Sequence, residues 1–524
     1  MLGRIATVGG LTLVSRVTGF LRDIMLAAVL GAGPVADAFF VALRLPNHFR
    51  AIFAEGAFNS AFVPAYARIL KQGGPDPARL FADRVFTMLM AAEAVLLALA
   101  LAFTPAVIGL LAPGFSAEGG RYDLAVELTR ITFPYLVLVS LVTLYGGMLN
   151  AVQRFAAPAA APVLLNLSMM ATLALAAFFP TAGHAAAWGV LIAGVLEVLL
   201  VGADTARRTG LPRFAGFSLD EDVRKFFRAL GPATVGSAGL QIALFADTII
   251  ASFLPAGALS ALYYADRLNQ LPIGVIGIAV GTVILPEMAG RIASGDEAGA
   301  RDAQSRAMEL TLLLSVPCLV AFLLLPDLIM LALFSRGAFT AADAAAAGAT
   351  LAAYTVGLLP FVLIRSVTAT FLARGDTATP VKALLASVVV NVALKIALMG
   401  PLAQVGLALA TSVGAWVNFL LVVWFAKRAG FLGWDTRLMR SVARLAAAAV
   451  VLAFALMAGQ RLVAAMLEPG QVLRHELTLA ALALIGAVAY ALAIAALFGR
   501  QWLRGLARRR KAAAPPVPPP VDPA

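Results

Sequence analysis

The sequence predicts an all-α polytopic membrane protein, and three observations support this class. Of 524 residues, 61% are hydrophobic and 13% are charged, and the mean hydropathy is +0.91. Soluble domains carry roughly 25% charged residues. Apolar runs long enough to cross a bilayer as helices recur from one end of the chain to the other. Their unbroken, Ala- and Leu-rich character excludes the alternating pattern of a membrane β-barrel.

The apolar runs predict fourteen transmembrane helices, numbered here 1 to 14 in chain order. Their approximate spans are 5–30, 35–68, 85–111, 127–150, 159–180, 184–206, 227–254, 258–290, 306–334, 346–373, 378–400, 403–427, 438–465 and 477–499. Prolines that can bend these helices stand at Pro46, Pro134, Pro272, Pro286 and Pro360.

The links between the helices differ in charge. Links after even-numbered helices are basic, for example Arg68, Lys71, Arg79 and Arg84, then Arg207, Arg208 and Arg213, then Lys427 and Arg428. The other side has only scattered cations such as Arg121, Arg336 and Arg474. Because basic loops stay in the cytoplasm, both termini are expected there. The net charge of +12 therefore reflects membrane orientation rather than nucleic-acid binding.

An internal repeat relates the two halves at an offset near 224 residues. Leu45-Pro46 matches Leu271-Pro272, Phe133-Pro134-Tyr135 matches Leu359-Pro360-Phe361, and Asn166 matches Asn391. An offset of six helices keeps the repeats parallel, which predicts two six-helix lobes around a central cavity plus two C-terminal helices. The predicted domains are an N-terminal lobe 1–208, a cytoplasmic linker 209–226, a C-terminal lobe 227–428, two extra helices 429–500 and a basic, Pro-rich tail 501–524.

The stretch 9–66 holds seven charged residues inside two predicted membrane helices. They are Arg16, Arg22, Asp23, Asp37, Arg44, Arg50 and Glu55. A charge at the bilayer centre costs about 2.5–3.5 kcal/mol on insertion scales. These side chains must therefore face one another, a partner helix or a water-filled cavity, and the binding site is expected there.

Helical periodicity groups the charges. Asp37, Arg44, His48 and Glu55 fall on one face of helix 2, while Tyr263, Asp266, Arg267 and Gln270 fall on one face of helix 8. Helices 1, 2 and 8 together carry five arginines and four acids in this region, an excess of one positive charge. Arginine is the preferred partner of phosphate. Arg16, Arg22, Arg44, Arg50 and Arg267 are predicted to bind a diphosphate, with Asp23, Asp37, Glu55 and Asp266 as charge-pairing or gating residues. The alternative is a set of buried ion pairs that only hold helices together.

Other polar residues in the predicted helices give weaker signals. Asp247, Asn391 and Lys395 form either a cation site or an ion pair, and the pair is favoured because the lysine would occupy the space of a bound sodium ion. Glu93 and Glu197 are expected to pair locally. No motif of a hydrolase, metalloprotease or nucleotide-binding enzyme occurs, and no metal or cofactor is expected.

The runs SRVTGFLRD (15–23), DAFFVALRLPNHFRAIFAEGAFNSAFVP (37–64) and YYADRLNQLPIGV (263–275) closely resemble the MurJ (MviN) family of lipid II flippases. This resemblance implies a multidrug/oligosaccharidyl-lipid/polysaccharide (MOP) exporter fold with alternating access, and lipid II as substrate. It also implies essential roles for Arg16, Arg22, Arg267, Asp37, Arg50 and Glu55. Arg44 stands where relatives often have lysine, and Gln270 where some have glutamate.

The resemblance implies a multi-pass protein of the bacterial cytoplasmic (inner) membrane. It favours a monomeric flippase, not an enzyme, with membrane lipids around it and cell-wall synthesis proteins as candidate partners. Three rival hypotheses remain at this point. They are an exporter of another polyprenyl-linked oligosaccharide or a drug, a membrane glycosyltransferase, and a non-transporting scaffold for cell-wall proteins.

Overall fold

A computed structural model describes residues 2–50, 58–117, 119–433, 435–467 and 473–512. In these ranges the secondary structure is helical. The α-helices are α1 Leu2–Leu30, α2 Pro34–Phe49, α3 Phe58–Gly73, α4 Pro75–Ala102, α5 Thr104–Leu111, α6 Gly119–Thr132, α7 Tyr135–Ala151, α8 Ala156–Ala174, α9 Ala182–Arg208, α10 Glu221–Ser252, α11 Ala258–Ala293, α12 Glu297–Leu324, α13 Pro326–Phe334, α14 Ala341–Thr355, α15 Leu358–Leu372, α16 Ala378–Arg428, α17 Thr436–Met466 and α18 Arg474–Ala512. Glu55 and the end of the Pro-rich tail lie outside the described residues.

Four predicted continuous spans are each broken into two α-helices. Span 85–111 is divided at Phe103, span 127–150 at Pro134, span 306–334 at Leu325 and span 346–373 at Gly357. Proline lacks the N–H of a helical hydrogen bond, which explains the break at Pro134 and the start of α13 at Pro326. By contrast, Pro272 lies inside the continuous helix α11. The breaks near 134 and 357 stand one repeat offset apart, so the internal repeat extends to helix geometry.

The first basic link, predicted as a loop, is helical. Arg68 and Lys71 lie in α3, Arg79 and Arg84 lie in α4, and Gly74 with φ +83° separates the two helices. The helices therefore extend beyond their apolar segments. An exposed segment follows α9 instead, and the Asp220 side chain ends it by accepting a hydrogen bond from the Val223 N–H, which caps α10.

Nine helical segments in the described ranges are long and apolar enough to cross a membrane. One of them, α16, has 51 residues and bends at Ala403, where φ is 46° and ψ is −127°. The bend lies directly after the predicted link 400–402, at the first residue of predicted helix 12. Each predicted span thus overlaps helical segments in the described residues, apart from the interruptions given above.

Two compact units make up the fold. Unit 1 comprises 1–264, 334–347 and 394–407, and unit 2 comprises 265–333, 348–393 and 408–524. The core of unit 1 is aromatic: Phe62 stacks between Tyr66 and Phe81, and Phe226 from the start of α10 meets Phe62 and Phe81 edge-on. In unit 2, separate apolar clusters join α11 to α12 and α15, α12 to α15–α17, and α17 to α18.

Candidate functional site

Arg22 lies at the centre of a buried polar cluster in unit 1. Its guanidinium donates to Asp23 Oδ1 from Nε at 3.1 Å and from a terminal nitrogen at 2.7 Å, and to Asn166 Oδ1 at 3.0 Å. The Asn166 amide in turn donates to the Ser15 carbonyl and to the Thr18 hydroxyl, both at 3.0 Å. Only 9% of Arg22 is exposed, and the hydrogen bond to Asn166 of α8 fixes the position of its guanidinium between α1 and α8.

Asp23 connects this cluster to α11. The Tyr263 hydroxyl donates to Asp23 Oδ1 at 3.3 Å, and the Tyr263 ring stacks on Phe40 of α2 with centroids 3.9 Å apart. On an ideal helix, Asp23 shares a face with Arg16, seven residues earlier. The structure pairs it with its neighbour Arg22, because the long arginine side chain folds back to the adjacent carboxylate.

Asp37 occupies a second buried site at the start of α2. It is completely buried and accepts hydrogen bonds from the backbone N–H groups of Gly257 at 2.8 Å and Ser260 at 2.9 Å. The Ser260 hydroxyl and the Arg121 guanidinium donate to it as well. Arg121 is buried and also lies 4.1 Å above the Phe115 ring. A carboxylate with four donors is held far more tightly than a surface ion pair.

Asp37 belongs to a dense layer of chain turns in unit 1, named here the loop layer. It comprises residues 28–37, 113–117, 252–264 and 334–339 with Arg121. The backbones approach so closely that a Cβ on Gly114 would lie 2.3 Å from the Ser252 oxygen, and one on Gly337 would lie 2.2 Å from the Ala28 oxygen. Ser252 and Ala28 are one repeat offset apart, as are the two glycines. The layer is therefore built from equivalent parts of both repeats.

Gly337→Ala is expected to loosen the loop layer. Gly337 has φ +57°, and Gly375 has φ +78° with open space around it, so Gly375→Ala carries the strain of positive φ without the steric clash. The clash should cost Gly337→Ala about 1–3 kcal/mol beyond its control. Thermal unfolding of both purified variants measures this difference. Equal unfolding midpoints would contradict the close approach.

The remaining predicted residues of unit 1 have different surroundings. Arg44 donates to the Thr248 hydroxyl of α10 at 2.7 Å. Arg50 is half-buried and attracts Glu197, which lies 3.4 Å from the Tyr135 hydroxyl. Arg16 is exposed along α1, unlike Arg22.

Asp247 and Lys395 form an ion pair within unit 1. The Lys395 ammonium, 2% exposed, donates to Asp247 Oδ1. Asn391, in unit 2, has a buried side-chain oxygen that receives no hydrogen bond from the described residues. Also in unit 2, Asp266 accepts a hydrogen bond from Gln270, and Arg267 follows it along α11.

Sequence reasoning missed three residues that the structure places in these sites. Arg121 was assigned to the scattered cations of the loops, Ser260 was not singled out, and Asn166 was noted only as a repeat match. No charge stripe or motif marks Arg121 or Ser260 in the sequence. Asn166 had a usable signal, since it is a lone amide in an apolar helix, where a polar side chain needs a partner.

The chain matches the family model described as "Lipid II flippase MurJ" over residues 26–480. It is 42% identical to a probable lipid II flippase MurJ of Rhizobium meliloti (strain 1021) over 86% of this chain and 85% of that protein. Identity to the lipid II flippase MurJ of Burkholderia cenocepacia is 35%, over 85% of this chain and 88% of that protein.

Among solved structures, the fold is similar to a lipid II flippase MurJ in an inward closed conformation, with TM-score 0.78 and 22% identity over 94% of this chain and 98% of that one. It is also similar to an inward-facing multidrug resistance MATE family transporter of the MOP superfamily, with TM-score 0.65 and 14% identity over 80% and 95% of the two chains. The fold is that of a helical membrane transporter, and the extent of the sequence match decides the family: this chain belongs to the MurJ family.

Proposed function

We propose that this protein is a lipid II flippase, which moves the diphosphate-linked peptidoglycan precursor across the bacterial cytoplasmic membrane. The observation that carries this function is the buried Arg22 site in a chain of the MurJ family. A guanidinium held by Asp23 and Asn166 inside apolar helices is a fixed donor for a phosphate group that cannot cross lipid unaided.

The proposed architecture is the one that the repeat predicts. Fourteen membrane helices form two parallel six-helix lobes around a cavity, with helices 13 and 14 outside them, and α16 crosses twice by turning at Ala403. Both termini lie in the cytoplasm, because the basic links stand on that side. The loop layer then lies on the opposite, periplasmic side.

In the proposed mechanism, the diphosphate binds Arg16, Arg22 and Arg267 in the cavity, and the polyprenyl tail stays in lipid. Binding draws the guanidinium of Arg22 away from Asp23. Asp23 also accepts a hydrogen bond from the Tyr263 hydroxyl of α11, so losing Arg22 as its partner changes the strength of that bond. Arg267 follows Tyr263 by one turn of the same helix. Substrate binding thereby biases the equilibrium between inward and outward states of the cavity.

The loop layer is the proposed periplasmic gate. With Asp37 bonded to Gly257, Ser260 and Arg121, the turns of both repeats are in contact and the path to the periplasm is shut. Opening must break these bonds together. The gate is therefore a cooperative element with two states rather than a gradually widening gap.

Flipping of labelled lipid II in proteoliposomes tests the function. We expect transport by the purified protein and at least about a tenfold loss in Arg16→Ala and Arg267→Ala, since each removes a charged hydrogen-bond donor. Arg208→Ala, at the exposed end of α9, is the matched control and should keep normal transport. Normal transport by both cavity variants would end the diphosphate assignment. Transport of a lipophilic cation without lipid II would favour a drug exporter.

Asp37→Asn is expected to open the gate. The amide has the size of the carboxylate, but one of its two oxygens is replaced by an NH₂ group, which cannot accept the hydrogen bonds that donors in the layer make to Asp37. Each buried donor that loses its acceptor in this way costs about 1–3 kcal/mol. In a Cys318→Ser background, a membrane-impermeant thiol reagent added from the periplasm should label Ser15→Cys faster in the Asp37→Asn variant. Asp123→Asn, an exposed acid of α6, is the control. Unchanged labelling would show that Asp37 does not hold the gate.

A further inference from the structure

Unit 1 contains a cavity of about 290 Å³ away from the Arg22 and Asp37 sites. It lies between α3, α4, α7 and the first turns of α10. Its walls are mostly apolar and are formed by aromatic rings (Phe58, Phe226 and Phe227) and by aliphatic side chains of α4 (Val85, Met88, Leu89 and Leu96). Pockets that bind small ligands are typically lined by apolar side chains together with a few polar groups at defined positions.

Glu93 supplies such a polar group in the cavity wall. The side chain is 5% exposed, and Oε1 accepts a hydrogen bond from the Ser140 hydroxyl at 2.7 Å. Its second oxygen, Oε2, is buried and receives no hydrogen bond within the described part of the chain. Neither does a described lysine, arginine or histidine form an ion pair with this carboxylate. A buried acid with an unsatisfied oxygen carries a free-energy cost that a ligand donor can remove.

We propose that this cavity binds a lipophilic primary amine. The ammonium donates to Glu93 Oε2, and the aliphatic chain lies against the apolar side chains of the wall, among them Met88, Leu89 and Leu96. Charge complementarity decides the class of ligand: a neutral chain would leave the carboxylate unpaired, and an anion would be repelled by it. The Phe58 and Phe226 rings, edge to face with centroids 5.6 Å apart, form part of the cavity wall.

The site is independent of lipid II flipping, since Glu93 belongs neither to the Arg22 cluster nor to the loop layer. The cavity and the loop layer nevertheless share helix α10. Phe226, Phe227 and Leu230 lie in its first turns, and Ser252 lies at its end. An amine in the cavity would join α10 to α4 and α7. Such a ligand should therefore raise the thermal stability of the protein.

Binding of octylamine, with octan-1-ol as the neutral analogue, tests the proposal on the purified full-length protein in nanodiscs. We expect saturable binding of one octylamine, at least about tenfold tighter than octan-1-ol. Glu93→Gln should weaken octylamine at least about tenfold and leave octan-1-ol nearly unchanged. Glu287→Gln removes an exposed acid paired with Arg291 and serves as the matched control for non-specific attraction.

A second variant keeps the test decisive if Glu93→Gln folds poorly. Leu89→Trp fills the cavity while leaving the carboxylate in place, and it should also remove octylamine binding. A photoreactive diazirine derivative of octylamine should label peptides of α4 and the start of α10 in the unaltered protein, and labelling should fall when octylamine competes. Equal affinity for amine and alcohol, undiminished amine binding in Glu93→Gln or Leu89→Trp, or labelling confined to other helices would each overturn the proposal.

Discussion

Arg22→Ala should abolish lipid II flipping, and this is the largest functional effect that we expect. The variant removes three hydrogen bonds at once, two to Asp23 and one to Asn166. It leaves the buried Asp23 carboxylate without the guanidinium that donates to it, and removing one member of a buried ion pair costs about 3–5 kcal/mol. It also removes the planar fork that matches a phosphate. Flipping in proteoliposomes and thermal unfolding are measured on the same preparations.

A double variant separates the two consequences of losing Arg22. Arg22→Ala/Asp23→Ala removes both charges, so it should regain much of the stability that Arg22→Ala loses while transport remains absent. Arg22→Lys keeps the charge but cannot donate two parallel bonds, and it should transport more slowly than the unaltered protein. Recovery of transport in the double variant would mean that Arg22 serves only to neutralise Asp23.

Asp247→Asn should cause a large loss of stability. It leaves the Lys395 ammonium, 2% exposed, without the carboxylate to which it donates, and we expect a cost of about 3–5 kcal/mol. Lys395→Met should cost less, because the side chain of Asp247 is 33% exposed and can be hydrated. Thermal unfolding and size-exclusion profiles measure both variants.

The coupling between the two charges provides the control. Asp247→Asn/Lys395→Met carries neither charge and should be clearly more stable than Asp247→Asn alone, since breaking a buried pair is worse than replacing it by uncharged groups. If the two single losses simply add in the double variant, the pair contributes no interaction energy, and Lys395 is stabilised by other groups.

The sequence predicted the positions of the helices well, because each apolar run must hydrogen-bond its own backbone inside lipid. It was less successful at helix ends and interruptions. The segment around Arg79 and Arg84 was predicted as a loop because it is charged, yet charged helix ends extend readily into water. The sequence did not predict the helix break before Pro326, because a proline can also lie within a continuous helix, as Pro272 does.

Hydrophobicity and helical periodicity alone determined that ionisable side chains lie inside the membrane helices, and the family motifs identified the transporter class. The partners of those side chains were decided only by the tertiary structure. Asp37 bonds to Gly257, Ser260 and Arg121. Those residues are far from it in the sequence, and a periodic pattern describes one helix face but not the helix or turn that packs against it. The sequence shows which charged residues lie in apolar segments and are therefore costly to bury. The groups that offset this cost come together only when the chain folds.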